Sequence, residues 1–257
     1  GSEVTVVEFC KEVLPNLDKD MAKRLRLSLK KKGINILTDS GVKRIEHLEN
    51  DASKVVYENK GKEEIVEADV VLMAVGRTAR TEIVEDNTIG ITYGKRGIEV
   101  DENMQTSVPH IYAIGDVNGL CQLAHAATFQ GRRALNHILG RKDNIRFDLI
   151  PSAVFTSPQL ASVGLREEDV TEHKPLVYKS FYRANGRALS MDADEGFLKI
   201  VCNEEGRVLG VHIMGEQASE LIHEATVLMN LGGTISQLGD IIHAHPTLSE
   251  MYTAAVS

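Results

Sequence analysis

No apolar run in this 257-residue sequence approaches the ~20 residues that a membrane-spanning helix needs. The longest, VVLMAV at 70–75, reads as a buried strand instead. No signal peptide is expected at the start. Cysteine is scarce: three residues, at 10, 121 and 202, odd in number and far apart. That excludes a disulfide framework or a metal knuckle and suits a reducing, cytoplasmic compartment. Net positive charge is lacking too, with 29 Lys and Arg against 37 Asp and Glu, net −8. A general nucleic-acid binder is thereby disfavoured. The basic run KRLRLSLKKKG (23–33) reads as the solvated face of a helix whose Leu25 and Leu29 turn inward. Finally, no two of the 21 glycines are separated by a single residue, so the sequence contains no G-x-G-x-x-G loop.

What is present is a globular composition, 42% hydrophobic and 26% charged, long enough for one large domain or two ordinary ones. EVTVVE (3–8) alternates as a strand, a helix capped by Asp18 or Asp20 and stopped by Gly33 follows, and INILT (34–38) is a second strand. This β-α-β order is the unit of a parallel sheet. Residues 41–48, 53–58 and 63–77 read as a meander that returns into a central strand. Residues 123–140 are helical up to Gly140. Composition shifts at about Phe147. Beyond it come a strand, a helix, strands over 176–214, a helix at 216–231 and a last helix at HAHPTLSE (243–250). The expected fold class is α/β: a truncated dinucleotide-binding, Rossmann-like region followed by an α+β interface domain. The expected segments are 1–79, 80–147 and 148–257.

Four motifs carry chemistry. Glu8 ends the first strand, where an acidic side chain in a dinucleotide-binding fold accepts hydrogen bonds from ribose hydroxyls and repels a 2′-phosphate. AVGR (74–77) places Gly76 at the end of the expected buried strand, where a ligand could approach the backbone. TSVPHIYAIGDV (106–117) reads as an apolar strand delivering Gly115 and Asp116, a carboxylate suited to sugar-alcohol hydroxyls. QLAHAA (122–127) opens a helix whose positive end favours negative charge on a ligand. In HAHPTLSE, Pro246 is expected at the first helical position with His245 just outside. Glu250 would then sit in the second turn, ~7.5 Å along the axis. A carboxylate holding one imidazole nitrogen and leaving the other outward is the geometry of general acid–base catalysis.

AVGR, the 106–116 segment, LAHAA, FTSPQLASVGL (155–165), GVHIMG (210–215) and HAHPTLSE together resemble the pyridine nucleotide–disulfide oxidoreductases, over essentially the whole chain. Within that family the pattern is most similar to the dihydrolipoamide dehydrogenases. The resemblance implies a flavoprotein homodimer that reoxidises dihydrolipoamide on the lipoyl domains of 2-oxo acid dehydrogenase complexes and passes electrons through FAD to NAD. It implies that Asp116 binds the ribityl chain of FAD and that Gln122, Leu123, Ala124 and His125 line the flavin. It implies that Glu8, Val42 and Gly76 contact NAD, and that His245, oriented by Glu250, deprotonates the dithiol in the partner subunit's active site. The family's first glycine loop and its C-x-x-x-x-C redox pair are not in this sequence, so the chain is expected to be a carboxyl-terminal portion, inactive alone and weak in FAD binding. Three alternatives stand beside this reading: a dimerisation or docking module without catalysis, a glutathione- or mercuric-type reductase, and a metallohydrolase built on His223, Glu224, His243 and His245.

Overall fold

A computed structural model describes residues 1–82 and 89–257; residues 83–88 of the expected 80–147 segment lie outside the described residues. The chain divides into two compact units, one made of residues 1–72 with 151–257 and the other of 73–150.

In the first unit, β1 (Thr5–Val7) and β2 (Asn35–Leu37) pair in parallel across α1 (Lys19–Lys31), the expected β-α-β. Asp18 is the cap: its carboxylate accepts the Asp20 backbone N–H, satisfying a donor that the helix start leaves orphaned. Strands β3 (Ser40–His47), β4 (Ser53–Asn59) and β5 (Lys62–Ala68) form an antiparallel meander.

The second half of this unit is a five-stranded antiparallel sheet. Its strands are β6 (Ser152–Val154), β7 (Gln159–Gly164), β8 (Leu176–Phe181), β9 (Phe197–Cys202) and β10 (Val208–Gly215), in the spatial order β6-β7-β10-β9-β8. The helix expected after the first of these strands is only a short 3₁₀ turn at Glu167–Asp169, behind a second strand. Side chains alternate along a strand, so each face has its own cover. On one face Leu160, Phe197 and Met214 pack with Met21 and Leu25 of α1. On the other lie Ala161, Leu198 and Ile213, under α4 (Ala218–Asn230) and α6 (Glu250–Val256). Tyr252 of α6 is buried, and its hydroxyl donates to the Leu221 carbonyl of α4 at 2.7 Å, joining the two helices. Two one-turn helices complete the unit, α3 (Gly186–Ser190) and α5 (Ile235–Gly239).

The second unit holds α2 (Ala124–Ile138) and a small core of Ile91, Ile98 and Ala113 with Tyr93, Val100, Val108, Ile111 and Val117 around it.

Three further expectations fail. VVLMAV is not a buried strand: Val70, Leu72, Met73 and Val75 are all exposed, and residues 69–80 join no ladder among the described residues. β-branched, apolar composition suits a strand, but a strand exists only where a neighbour accepts its hydrogen bonds. Gly76 therefore does not end a strand. For the same reason residues 110–114 form only an isolated bridge, Gln105 with Tyr112, and Asp116 sits on a 3₁₀ turn, Gly115–Asn118. Lastly, α6 begins at Glu250, not Pro246. The chain between them is a turn, closed by the Met251 N–H donating to Leu248 and the Tyr252 N–H donating to Ser249.

Candidate active site

His245 and Glu250 meet despite the later helix start. The His245 ring is 80% exposed, and its Nδ1 lies 2.8 Å from Oε1 of Glu250. A carboxylate accepts and does not donate, so Nδ1 carries the proton and Nε2 is left as an acceptor facing outward. The other Glu250 oxygen accepts the Thr247 backbone N–H at 2.8 Å. These two contacts, the backbone N–H first and the imidazole second, hold the Glu250 carboxyl below its ordinary range. The T-x-x-E spacing is the signal that could have located this turn, since a glutamate three residues on can reach back to such an N–H.

A second histidine stands two residues earlier. His243 is nearly buried, with Nε2 2.7 Å from Glu224 Oε1 and Nδ1 2.7 Å from Thr253 Oγ1. Its ring stacks on Tyr252 at a centroid distance of 6.4 Å. Both of its nitrogens are used, and His223 is exposed on α4. Among the described residues no three His, Cys, Asp or Glu side chains gather around a metal position, so the metallohydrolase alternative loses its site.

In the second unit, Asp116 is exposed on its turn beside the start of α2. Leu123 caps α2 without a side-chain acceptor, and no acidic residue occupies the first turn. The first backbone bond into the helix is donated by Ala127 to Leu123, leaving the Ala124 and Ala126 N–H groups outside the intrahelical ladder. Two buried residues not singled out from the sequence fix this turn. Gln130 Oε1 accepts from the Gly115 N–H at 2.7 Å and from Asn118 Nδ2 at 2.9 Å, and Asn118 Nδ2 also donates to the Ala113 carbonyl. A buried amide on the inner face of an amphipathic helix was the available signal. Gly115 has φ +73°, a left-handed conformation natural to glycine.

Glu8 and Val42 both lie near the junction of β1 with β3. The Ser40 N–H donates to the Glu8 carbonyl, and Val42 is exposed two residues further along β3. The Glu8 carboxylate accepts the Cys10 N–H at 2.7 Å through one oxygen. That carboxylate also keeps the Cys10 thiol above its ordinary value. Burial raises Cys121 and pushes Cys202 up to about 12. All three thiols are free and held protonated, so none is an activated nucleophile.

The chain matches the pyridine nucleotide–disulphide oxidoreductase family over residues 1–131 and that family's dimerisation domain over residues 150–256. It is 37% identical over 255 residues to a dihydrolipoyl dehydrogenase of Staphylococcus aureus, covering 98% of this chain and 54% of that protein. It is 41% identical over 258 residues to the dihydrolipoyl dehydrogenase of Thermus scotoductus, covering 97% of this chain and 55% of that one. The chain thus spans about half the length of the curated relatives it matches. Among solved structures, LpdA from Mycobacterium tuberculosis superposes with a TM-score of 0.90 at 30% identity, over 100% of this chain and 56% of that one. The HOCl-induced flavoprotein disulfide reductase RclA from Escherichia coli superposes with a TM-score of 0.87 at 29% identity, over 100% of this chain and 59% of that one. Members of the matched family use FAD and NAD. The sequence matched at both ends, carrying a Rossmann-like region and a dimerisation domain, belongs to the pyridine nucleotide–disulphide oxidoreductase family.

Proposed function

We propose that this chain is the carboxyl-terminal part of a flavin-dependent dihydrolipoamide dehydrogenase and that His245 is its acid–base group. The observation that carries this reading is the 2.8 Å contact between His245 Nδ1 and Glu250 Oε1, with Nε2 turned to solvent. Nε2 takes a proton from one thiol of the dithiol, and the Glu250 carboxylate stabilises the imidazolium that results. His245 serves the active site of the partner subunit in a homodimer, and the dithiol arrives on lipoyl domains of 2-oxo acid dehydrogenase complexes. The three protonated thiols of this chain make no redox pair, so the chain alone is inactive.

The residues present suit one side of a flavin. Asp116 offers an exposed carboxylate to ribityl hydroxyls, and the α2 start, from Gln122 to His125, offers a positive helix end to the electron-rich ring edge. Glu8 places a carboxylate just past β1, suited to ribose hydroxyls and repelling a 2′-phosphate, which favours NAD over its 2′-phosphorylated form, with Val42 and Gly76 as further contacts. When bound, FAD and NAD supply the two-electron relay from thiol to nicotinamide. By role, residues 1–79 face NAD, 80–147 face FAD and 148–257 form the interface.

The test uses the full-length parent enzyme. His245→Ala should slow dithiol oxidation by about 10²–10⁴-fold, and Glu250→Gln by less, because an amide still pairs with the ring. Reduction of flavin by NADH should persist in both. Unchanged thiol turnover in His245→Ala, or equal loss of the NADH half-reaction, would refute the assignment.

A further inference from the structure

We infer that His243 is a positioning residue for the His245–Glu250 pair; the inference rests on the acid–base reading of His245. The segment that carries both histidines has little to hold it. Among the described residues, no backbone–backbone hydrogen bond is donated by positions 242–250, between the Ile241 N–H and the Met251 N–H. Side chains do the work instead. Asn185 Nδ2 donates to the Thr247 carbonyl at 3.0 Å, and Glu250 accepts the Thr247 N–H, so the downstream end is fixed. Upstream of His245, the Thr247 hydroxyl donates to the Ala244 carbonyl at 2.7 Å within the segment, and the two ring nitrogens of His243 anchor it to the helices, at Glu224 on α4 and Thr253 on α6.

The geometry of α6 explains why both tethers matter to His245. Glu250 and Thr253 are three residues apart, neighbours on one face of that helix. Histidines two residues apart are therefore held by two residues of the same helix face, Glu250 for His245 and Thr253 for His243. His243 cannot replace His245 in proton transfer. Its ring is 7% exposed, packed on Tyr252, with both nitrogens occupied. Glu224 accepts only, so Nε2 bears the proton, and in the neutral ring Nδ1 accepts the Thr253 hydroxyl. The two histidines thus hold opposite tautomers, Nε2–H at 243 and Nδ1–H at 245.

The test is ring ¹⁵N NMR on the 257-residue chain at about pH 9, where imidazoles are neutral. In the unmutated chain His245 should be mainly the Nδ1–H tautomer. His243→Leu should lower its Nδ1–H to Nε2–H ratio by about tenfold or more, since a hydrogen bond to a charged group contributes about 1.5–3 kcal/mol. His243→Gln, whose amide can still donate to Glu224, should keep most of the ratio. The ring signals of buried His212, bonded to Ser162 at 3.0 Å and to the Leu165 carbonyl at 3.0 Å, report that the sheet is intact. If His243→Leu loses those signals, Thr253→Val takes its place and should lower the ratio about fivefold. A His245 tautomer unchanged in the folded Leu variant, or lost equally in Leu and Gln, overturns the positioning role. An unmutated chain without a fixed His245 tautomer overturns the acid–base reading instead.

Discussion

Glu250 holds two groups at once: Oε1 lies 2.8 Å from His245 Nδ1, and Oε2 lies 2.8 Å from the Thr247 backbone nitrogen. One carboxylate thus closes the turn that carries the histidine and orients the ring itself. Both contacts favour the ionised form, and its pKa is lowered from 4.5 accordingly. The sign follows from linkage. A carboxyl with a depressed folded value stabilises the fold above its unfolded pKa, and the contribution is lost as pH falls through the lower folded value. The stability difference between the unmutated chain and Glu250→Gln should therefore shrink as pH falls below about 4.5. Urea unfolding between about pH 5 and pH 3 measures it; a difference that grows over that acid range would contradict the assignment.

A second prediction concerns Lys199 of β9. Its ammonium is buried among Asp18 at 2.8 Å, Glu167 at 2.6 Å and Asp20 at 3.1 Å. Burial disfavours the charge, but the hydrogen bonds that the ammonium donates to Asp18, Glu167 and Asp20 outweigh it and raise the pKa above the ordinary lysine value. Asp18 is fully buried and also caps α1, so this contact joins the α1 start to the sheet. Lys199→Met strands the Asp18 carboxylate and should cost about 3–5 kcal/mol in denaturant unfolding. Adding Asp18→Asn should recover part of the loss. Equal single and double losses would mean that Asp18 gains nothing from Lys199.

A third prediction concerns the Gly115–Asn118 turn that presents Asp116. Gln130→Leu leaves the Gly115 N–H without its acceptor and removes one of the partners of Asn118 Nδ2. A buried polar group left unpaired costs about 1–3 kcal/mol. Hydrogen exchange at the Gly115 amide should accelerate by about tenfold to a hundredfold, while amides of β9 and β10 stay protected. Exchange unchanged at Gly115 would show that the turn does not depend on Gln130.

Local pattern was readable wherever the partner of a residue is close in sequence. Asp18 as a cap, the β3–β4–β5 meander, Leu25 turned inward and the strands within 176–214 all follow from periodicity and turn chemistry. The pairing of His245 with Glu250 was legible for the same reason, although the helix start was misplaced by four residues. Pro246 signals a first helical turn, whereas Thr247 and Glu250 form a turn ahead of it. What was not legible depends on distant partners. VVLMAV has the composition of a core strand, but no described strand pairs with it, so its side chains are exposed. Gln130 and Lys199 look like ordinary polar helix and strand residues until the fold brings Gly115 to one and Asp18 to the other.

The last prediction concerns assembly. The dimerisation domain matched over 150–256 carries Ile242, 96% exposed, and, at the end of α4, Val227 with Leu231 just past its last residue, both exposed and about one turn apart. Large apolar side chains left in water on one domain favour association, because each loses about 25 cal/mol of unfavourable hydration per Å² covered. The chain should therefore have a solution mass of twice 28.3 kDa. A two-fold interface of the obligate kind buries more than about 2,000 Å² in total, and each substitution enters it twice. Ile242→Glu with Val227→Glu would place four carboxylates in that interface and should give monomers at tens of micromolar by light scattering, with far-UV circular dichroism unchanged. An unmutated chain that is monomeric under those conditions would show that residues 150–256 do not suffice for the dimer. A double variant that stays dimeric would move the interface away from Ile242 and the Val227 face of α4.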